Sequence, residues 1–138
     1  MTFVIDASVA ISWLFEDEQT PLCMNLLQQV SWTGAVVPSL WPLEIANALQ
    51  NGIKRKRIDA AYRDSTIKRL LRLPIEIDPD TSEYAWTTTL QLADTHQITV
   101  YDASYLELAL RRGLPLATRD DKLTAAAGTA GAILLPTR

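Results

Sequence analysis

Four carboxylates carry the chemical signal in this chain: Asp6, Glu44, Asp102 and Asp120. Asp6 follows the apolar run Thr2–Ile5, Asp102 follows Ile98–Tyr101, and Asp120 follows Leu116–Thr118 after a single arginine. Glu44 stands beyond the run Ala35–Val37, on a segment otherwise apolar around it (Leu43, Ile45, Ala46, Ala48, Leu49). Each aspartate alone is a good helix N-cap, and Glu44 alone is a surface residue of an amphipathic helix. Together they read differently, because parallel strands would bring all of them to one edge of a sheet. Two carboxylates about 4 Å apart repel by roughly 4 kcal/mol at an effective dielectric near 20, so such a cluster takes up a proton or a cation. An all-oxygen site without histidine or cysteine suits Mg2+ or Mn2+. The chemistry implied is attack of water on a phosphodiester, with the metal lowering the water's pKa and stabilising the leaving oxygen.

Small polar residues stand beside these acids. Ser8, Asn47 and Thr118 are placed to orient a carboxylate or hold a water, although backbone capping explains Ser8 and Thr118 nearly as well. Asp121 adjoins Asp120, and spacing does not say which of the two ligates and which caps. Other chemistries find no support. Ser8 lacks a nucleophile elbow, and the glycines form no phosphate-cradling loop. Cys23 and His96 are the sole residues of their types, which excludes an internal disulfide and a Cys/His zinc site. Cys23 reads as a buried small hydrophobe, and Trp13, Trp32, Trp41 and Trp86 as core or interface residues.

The elements that must position the acids follow from the apolar spacing. From Ile98 to Leu123 the chain reads as strand, acid, helix, turn, strand, acid, helix, with Gly113 as a positive-φ cap and Pro115 as a stop. Strands are also predicted at Thr2–Ile5, Ala35–Val37, Ile75–Ile77 and Ala132–Leu135. Helices are predicted after Asp6, from Thr20–Pro21 to about Val30, and from a Ser39 cap through Leu49. Others run from Asp59 to about Leu71 with Ile67, Leu70 and Leu71 inward, from Asp80–Ser82 through Ala93, and over Lys122–Ala127. Strands alternating with helices give an α/β fold: one domain, residues 1–138, with a mainly parallel central sheet flanked by helices.

A length of 138 residues, 48% hydrophobic and 21% charged, is that of an ordinary globular domain. No apolar run spans a bilayer and no signal peptide is recognisable, so a cytoplasmic protein is expected. A net charge of −3 argues mildly against general nucleic-acid binding. The cations are clustered, however. Lys54, Arg55, Lys56 and Arg57 form a run, followed by Arg63, Lys68, Arg69 and Arg72. That run is either a solvated helix end favoured by the helix dipole or an RNA-backbone rail.

FVIDASV at the N-terminus, PLEIANAL at Pro42–Leu49, TVYDASYLELA at Thr99–Ala109 and LATRDDKL at Leu116–Leu123 together resemble the PIN-domain family, most of all VapC-type toxins of toxin–antitoxin pairs. The motifs occur in the family's order and cover essentially the whole chain. The resemblance implies a Mg2+- or Mn2+-dependent endoribonuclease, with Asp6, Glu44, Asp102 and Asp120 as the acids that hold the metal. It further implies a homodimer restrained by a cognate antitoxin lodged near those acids. Two alternatives stay open: a nuclease of the same fold working without an antitoxin, and a non-catalytic binding module.

Overall fold

The sheet is built from the shortest apolar runs in the chain. In the computed structural model, which describes residues 1–138, the strands are β1 (Val4–Ile5), β2 (Ala35–Val37), β3 (Ile75–Ile77) and β4 (Leu116–Ala117). All pairings are parallel, in the order β3–β2–β1–β4. Strands this short suffice because β1, β2 and β4 are buried throughout, so near-continuous apolar runs replace polar alternation.

The chain steps outward from β1 to β2 to β3, then returns past β1 to lay down β4 on its other side. That reversal opens a crevice at the carboxyl ends of β1 and β4, where open parallel sheets hold their ligands. The crossovers are helical: α1 (Ala7–Leu14) and α2 (Pro21–Thr33), then α3 (Trp41–Lys54) and α4 (Ala60–Leu70). The third contains α5 (Thr81–Tyr84), α6 (Leu90–His96) and α7 (Val100–Arg112), and α8 (Asp121–Ala130) follows β4. Residues Glu16–Glu18 form a single 3-10 turn, and the helical backbone between α5 and α6 widens into a π turn at Ala85–Thr89. No helix is long and apolar enough to cross a membrane.

Several expected boundaries hold. Thr20 caps α2 by accepting from the Cys23 N–H, with Pro21 at the first helical position, and Asp59 caps α4 by accepting from the Tyr62 N–H. Gly113 adopts φ +64° and ends α7 as a left-handed cap. Cys23 is fully buried, and the Trp13 indole N–H donates to its carbonyl at 2.8 Å.

Other expectations are corrected. Ile98–Tyr101 is not a strand. Thr99 accepts from the Asp102 N–H at 3.0 Å and starts α7 at Val100, so the capping pattern T-x-x-D outweighs the β-propensity of the run. Ser39 does not cap α3; Leu40 stands at that position, and the Ser39 N–H donates instead to Thr81 Oγ1. On α4, Thr66 is buried and Leu70 packs on the core, while the Tyr62 hydroxyl donates to the Leu14 carbonyl. The inward stripe is therefore 62–66–70, which turns Ile67 and Leu71 outward. The expected last strand shrinks to one parallel bridge, Leu116 with Leu134, because the next acceptor along β4, the Thr118 carbonyl, takes the Thr137 hydroxyl at 3.0 Å in place of a backbone N–H. Trp13 and Trp41 join the core, whereas Trp32 and Trp86 stand in solvent.

Candidate active site

Asp6 ends β1 and is almost wholly enclosed, with 4% of its surface exposed. It occupies the N-cap position of α1 without making the capping hydrogen bond. Its Oδ2 instead accepts from Ser8 Oγ at 2.6 Å and from Thr118 Oγ1 at 2.8 Å. Both hydroxyls are oriented in turn by the loop after β4. Ser8 Oγ accepts from the Arg119 N–H at 2.9 Å, and Thr118 Oγ1 accepts from the Asp120 N–H at 3.0 Å. The β1–β4 register sets this up: Ile5 lies opposite Ala117, so the next residues, Asp6 and Thr118, face each other across the crevice.

Asp120 reaches the same place from β4. One of its oxygens caps α8, Oδ1 accepting from the Leu123 N–H at 2.8 Å. Asp102 enters on the first turn of α7, half-buried, and Glu44 on the first turn of α3, also half-buried. Glu44 Oε1 accepts from the Tyr105 hydroxyl at 2.5 Å. Sequence reasoning missed Tyr105. The available signal was its position one turn after Asp102 on the same helix face.

Burial and mutual repulsion define the electrostatics here. The Asp102 carboxyl is pushed up to about 6, chiefly by burial and then by the charges of Asp120 and Asp6; Lys122 opposes this but is outweighed. Burial also raises Glu44, helped by Asp6 and Asp102 and opposed by the Tyr105 hydrogen bond. Asp6 is raised by burial, with Asp120 adding to the effect and the Ser8 and Thr118 hydroxyls offsetting part of it. None of the four acids forms an ion pair. Even Arg119, next to Asp120 in the chain, sends its guanidinium to the Glu18 carbonyl at 3.1 Å.

A strand-end aspartate elsewhere supplies the contrast. Asp78 follows β3, its side chain is fully enclosed, and it binds Arg111 at 2.6 Å and Arg112 at 2.9 Å. Those guanidiniums hold its carboxyl below the usual range despite its burial. Asp78 is thus a neutralised structural acid on the sheet's far edge, whereas the four acids at the crevice repel one another.

The donor set fits a hard divalent cation in its chemistry: carboxylates only, no histidine or cysteine, and unrelieved negative charge. No three carboxylates stand close enough to enclose an ion by themselves. Mg2+ asks for less, since one or two carboxylates with water and substrate phosphate complete its shell.

The remaining predicted site residues lie apart from the cluster. Asn47 is exposed and makes no side-chain hydrogen bond to an acid. Asp121 points to solvent and pairs with Arg138 at 3.0 Å, so the adjacent acids separate into an inward Asp120 and an outward Asp121. Lys54, Arg55 and Lys56 are exposed, but Arg57 is engaged: it pairs with Asp17 and Glu18 at 2.9 and 3.0 Å and lies over the Phe15 ring.

These shifts predict an inverted pH dependence for the metal-free protein. Asp102 has a folded pKa raised from 3.8 to about 6, so its contribution to stability is fully present below 3.8 and is lost as pH rises through 6. Asp78 is shifted the other way, and its contribution is lost only as pH falls below 3.8. Urea denaturation in EDTA should therefore give a higher midpoint near pH ~4.5 than near pH ~7. A midpoint that rises over that interval would contradict the buried, mutually repelling acids.

The PIN-domain model matches residues 3–129. The chain belongs to the PIN-domain family. Over 131 residues this PIN domain is 30% identical to Ribonuclease VapC1 of Mycobacterium tuberculosis, covering 91% of this chain and 90% of that protein. Its fold matches PAE2754 of Pyrobaculum aerophilum with a TM-score of 0.66 and 27% identity, over 97% of this chain and 92% of that one. It is also similar in fold to VapBC2 of Rickettsia felis, solved bound to a DNA fragment from their promoter, with a TM-score of 0.65 and 14% identity over 98% of both chains. FitAcB of Neisseria gonorrhoeae gives a TM-score of 0.64 at 17% identity, over 99% of this chain and 97% of that one.

Proposed function

We propose that this PIN domain is a Mg2+- or Mn2+-dependent endoribonuclease, the toxin of a toxin–antitoxin pair. The observation that carries the reading is the buried Asp6, braced by Ser8 and Thr118, with Glu44, Asp102 and Asp120 around it and no cation paired to any of them. Its likeness to Ribonuclease VapC1 supports RNA as the substrate, and the antitoxin is the partner that the motif resemblance to VapC-type toxins implies.

Of Asp6, Asp102, Asp120 and Glu44, one or two at a time would hold the cation, with water and substrate phosphate completing its shell; when bound it acidifies the attacking water and offsets charge on the leaving oxygen. Ser8 and Thr118 fix the Asp6 carboxylate through Oδ2. The Arg119 and Asp120 amides hold those hydroxyls so that each donates to Asp6. Half-burial of Asp102 limits water around its carboxylate, which strengthens its interaction with any cation at the crevice. In this reading a second copy of the chain completes a homodimer, and the antitoxin restrains cleavage by occupying the crevice.

The test is cleavage of labelled single-stranded and structured RNAs by purified, antitoxin-free protein in Mg2+, Mn2+ or EDTA. Cleavage in either metal and none in EDTA is the expected result; cleavage that survives EDTA would sink the metal mechanism.

The basic run gives a second expectation. Replacing Lys54, Arg55 and Lys56 together by Ala should weaken RNA binding by a cleavage-dead variant and lower the salt slope by roughly 0.7 per lost phosphate contact. Arg57→Ala should lower that slope less than any of the three, because Asp17 and Glu18 already occupy its guanidinium. Binding measured across a salt series reads both effects.

A further inference from the structure

Tyr105 is a fully enclosed member of the apolar core, yet it carries a hydroxyl where phenylalanine would fill the same space. A buried phenol is retained at a cost unless its O–H finds a partner. The partner is Glu44 Oε1, 61 residues away on another helix. Glu44 has no other side-chain hydrogen bond, and its neighbours Leu43, Ala46 and Asn47 are exposed. Three rotatable side-chain bonds on a half-buried helix face would otherwise leave the carboxylate free to swing into solvent.

We propose that Tyr105 is a positioning residue for the metal site, its hydroxyl pinning Glu44 through Oε1 so that the carboxylate stays at the crevice with Oε2 left for the cation. The inference rests on the metal-dependent reading above. Tyr105 itself touches neither metal nor RNA. It acts as a rigid post, because its ring is locked in the core and only its oxygen reaches the crevice. Preorganisation of this kind is what keeps a carboxylate within the narrow geometry that a small cation demands.

The experiment is a Mn2+ titration of the whole chain, read by the electron paramagnetic resonance of free Mn2+. The proteins are the unaltered chain, Tyr105→Phe, Glu44→Gln and the double variant, each checked by thermal unfolding in EDTA. Tyr105→Phe should weaken Mn2+ binding by about tenfold or more, while the double variant binds no more weakly than Glu44→Gln alone. Equal binding by Tyr105→Phe and the unaltered chain would overturn the inference. So would a Tyr105→Phe loss that persists undiminished in the Glu44→Gln background, since that marks a general structural role. An unaltered chain that takes up no Mn2+ would overturn the metal reading itself, and this inference with it. Should Tyr105→Phe not fold, 3-fluorotyrosine incorporation offers a second readout. The Tyr105 fluorine resonance should move on Mg2+ addition in the unaltered chain and not in Glu44→Gln; a resonance that Mg2+ leaves still would overturn the inference.

Discussion

Replacing Asp102 by asparagine is expected to lower metal-dependent RNA cleavage on the order of a hundredfold or more while leaving the metal-free fold no less stable. Both halves follow from one fact: Asp102 is charged where charge is unfavourable. Burial and the charges of Asp120 and Asp6 push its carboxyl up to about 6, so near neutral pH the folded chain carries a repulsion that the unfolded chain does not. Asparagine removes that repulsion and keeps nearly the same shape. Because Asp102 is only half-buried, the remaining solvent contact screens part of the effect, and the expected gain in the metal-free protein is only about 1 kcal/mol. The same change removes a carboxylate that the proposed cation would use. Cleavage rate at fixed Mg2+, compared with the urea midpoint in EDTA, separates the two consequences. A variant that cleaves at the original rate would remove Asp102 from the site, and one that melts much earlier would make it a structural acid.

Asp78→Asn should show the opposite pattern. Its side chain is fully enclosed and answers two guanidiniums, Arg111 at 2.6 Å and Arg112 at 2.9 Å. Arg111 is bound on its other side by Glu107 at 2.7 Å, itself buried, and Arg112 by Glu76 at 2.7 Å. Breaking one member of a buried ion pair leaves the other charge desolvated and unmatched, which costs about 3–5 kcal/mol. The loss should fall at the lower end, because Glu107 and Glu76 still serve the two arginines. The urea midpoint should drop sharply, while cleavage per folded molecule stays at the original level. Two aspartates that look alike in the sequence, each following a short β-branched run, thus have opposite expected phenotypes: loss of activity without loss of stability for Asp102, and the reverse for Asp78.

That contrast marks the boundary between local and tertiary information. The fold class was legible because its signals are local. Apolar runs of β1, β2, β3 and β4 are bounded by turn residues, Thr20–Pro21 and Asp59 announce helices, and Gly113 announces a left-handed end. The candidate acids were legible for a related reason. A parallel sheet places every residue that follows a strand on the same edge, so Asp6 and Asp120 needed only the sheet to meet.

Asp102 reached the same crevice by a different route, from the first turn of α7, since Thr99 capped a helix where the β-branched run suggested a strand. Strand order lay beyond the reach of spacing. β4 returns beside β1 and not beyond β3, and this alone sets Thr118 opposite Asp6 and leaves Asp78 on the far side with its arginines. Likewise, helix rotation and not sequence adjacency turned Asp120 inward and Asp121 out to Arg138. Residue types and local periodicity determined which acids were available and which elements would carry them. Only the packed chain decided which acids met without a counter-charge, because pairing across a fold depends on strand order and helix rotation, and neither is written in nearest-neighbour preferences.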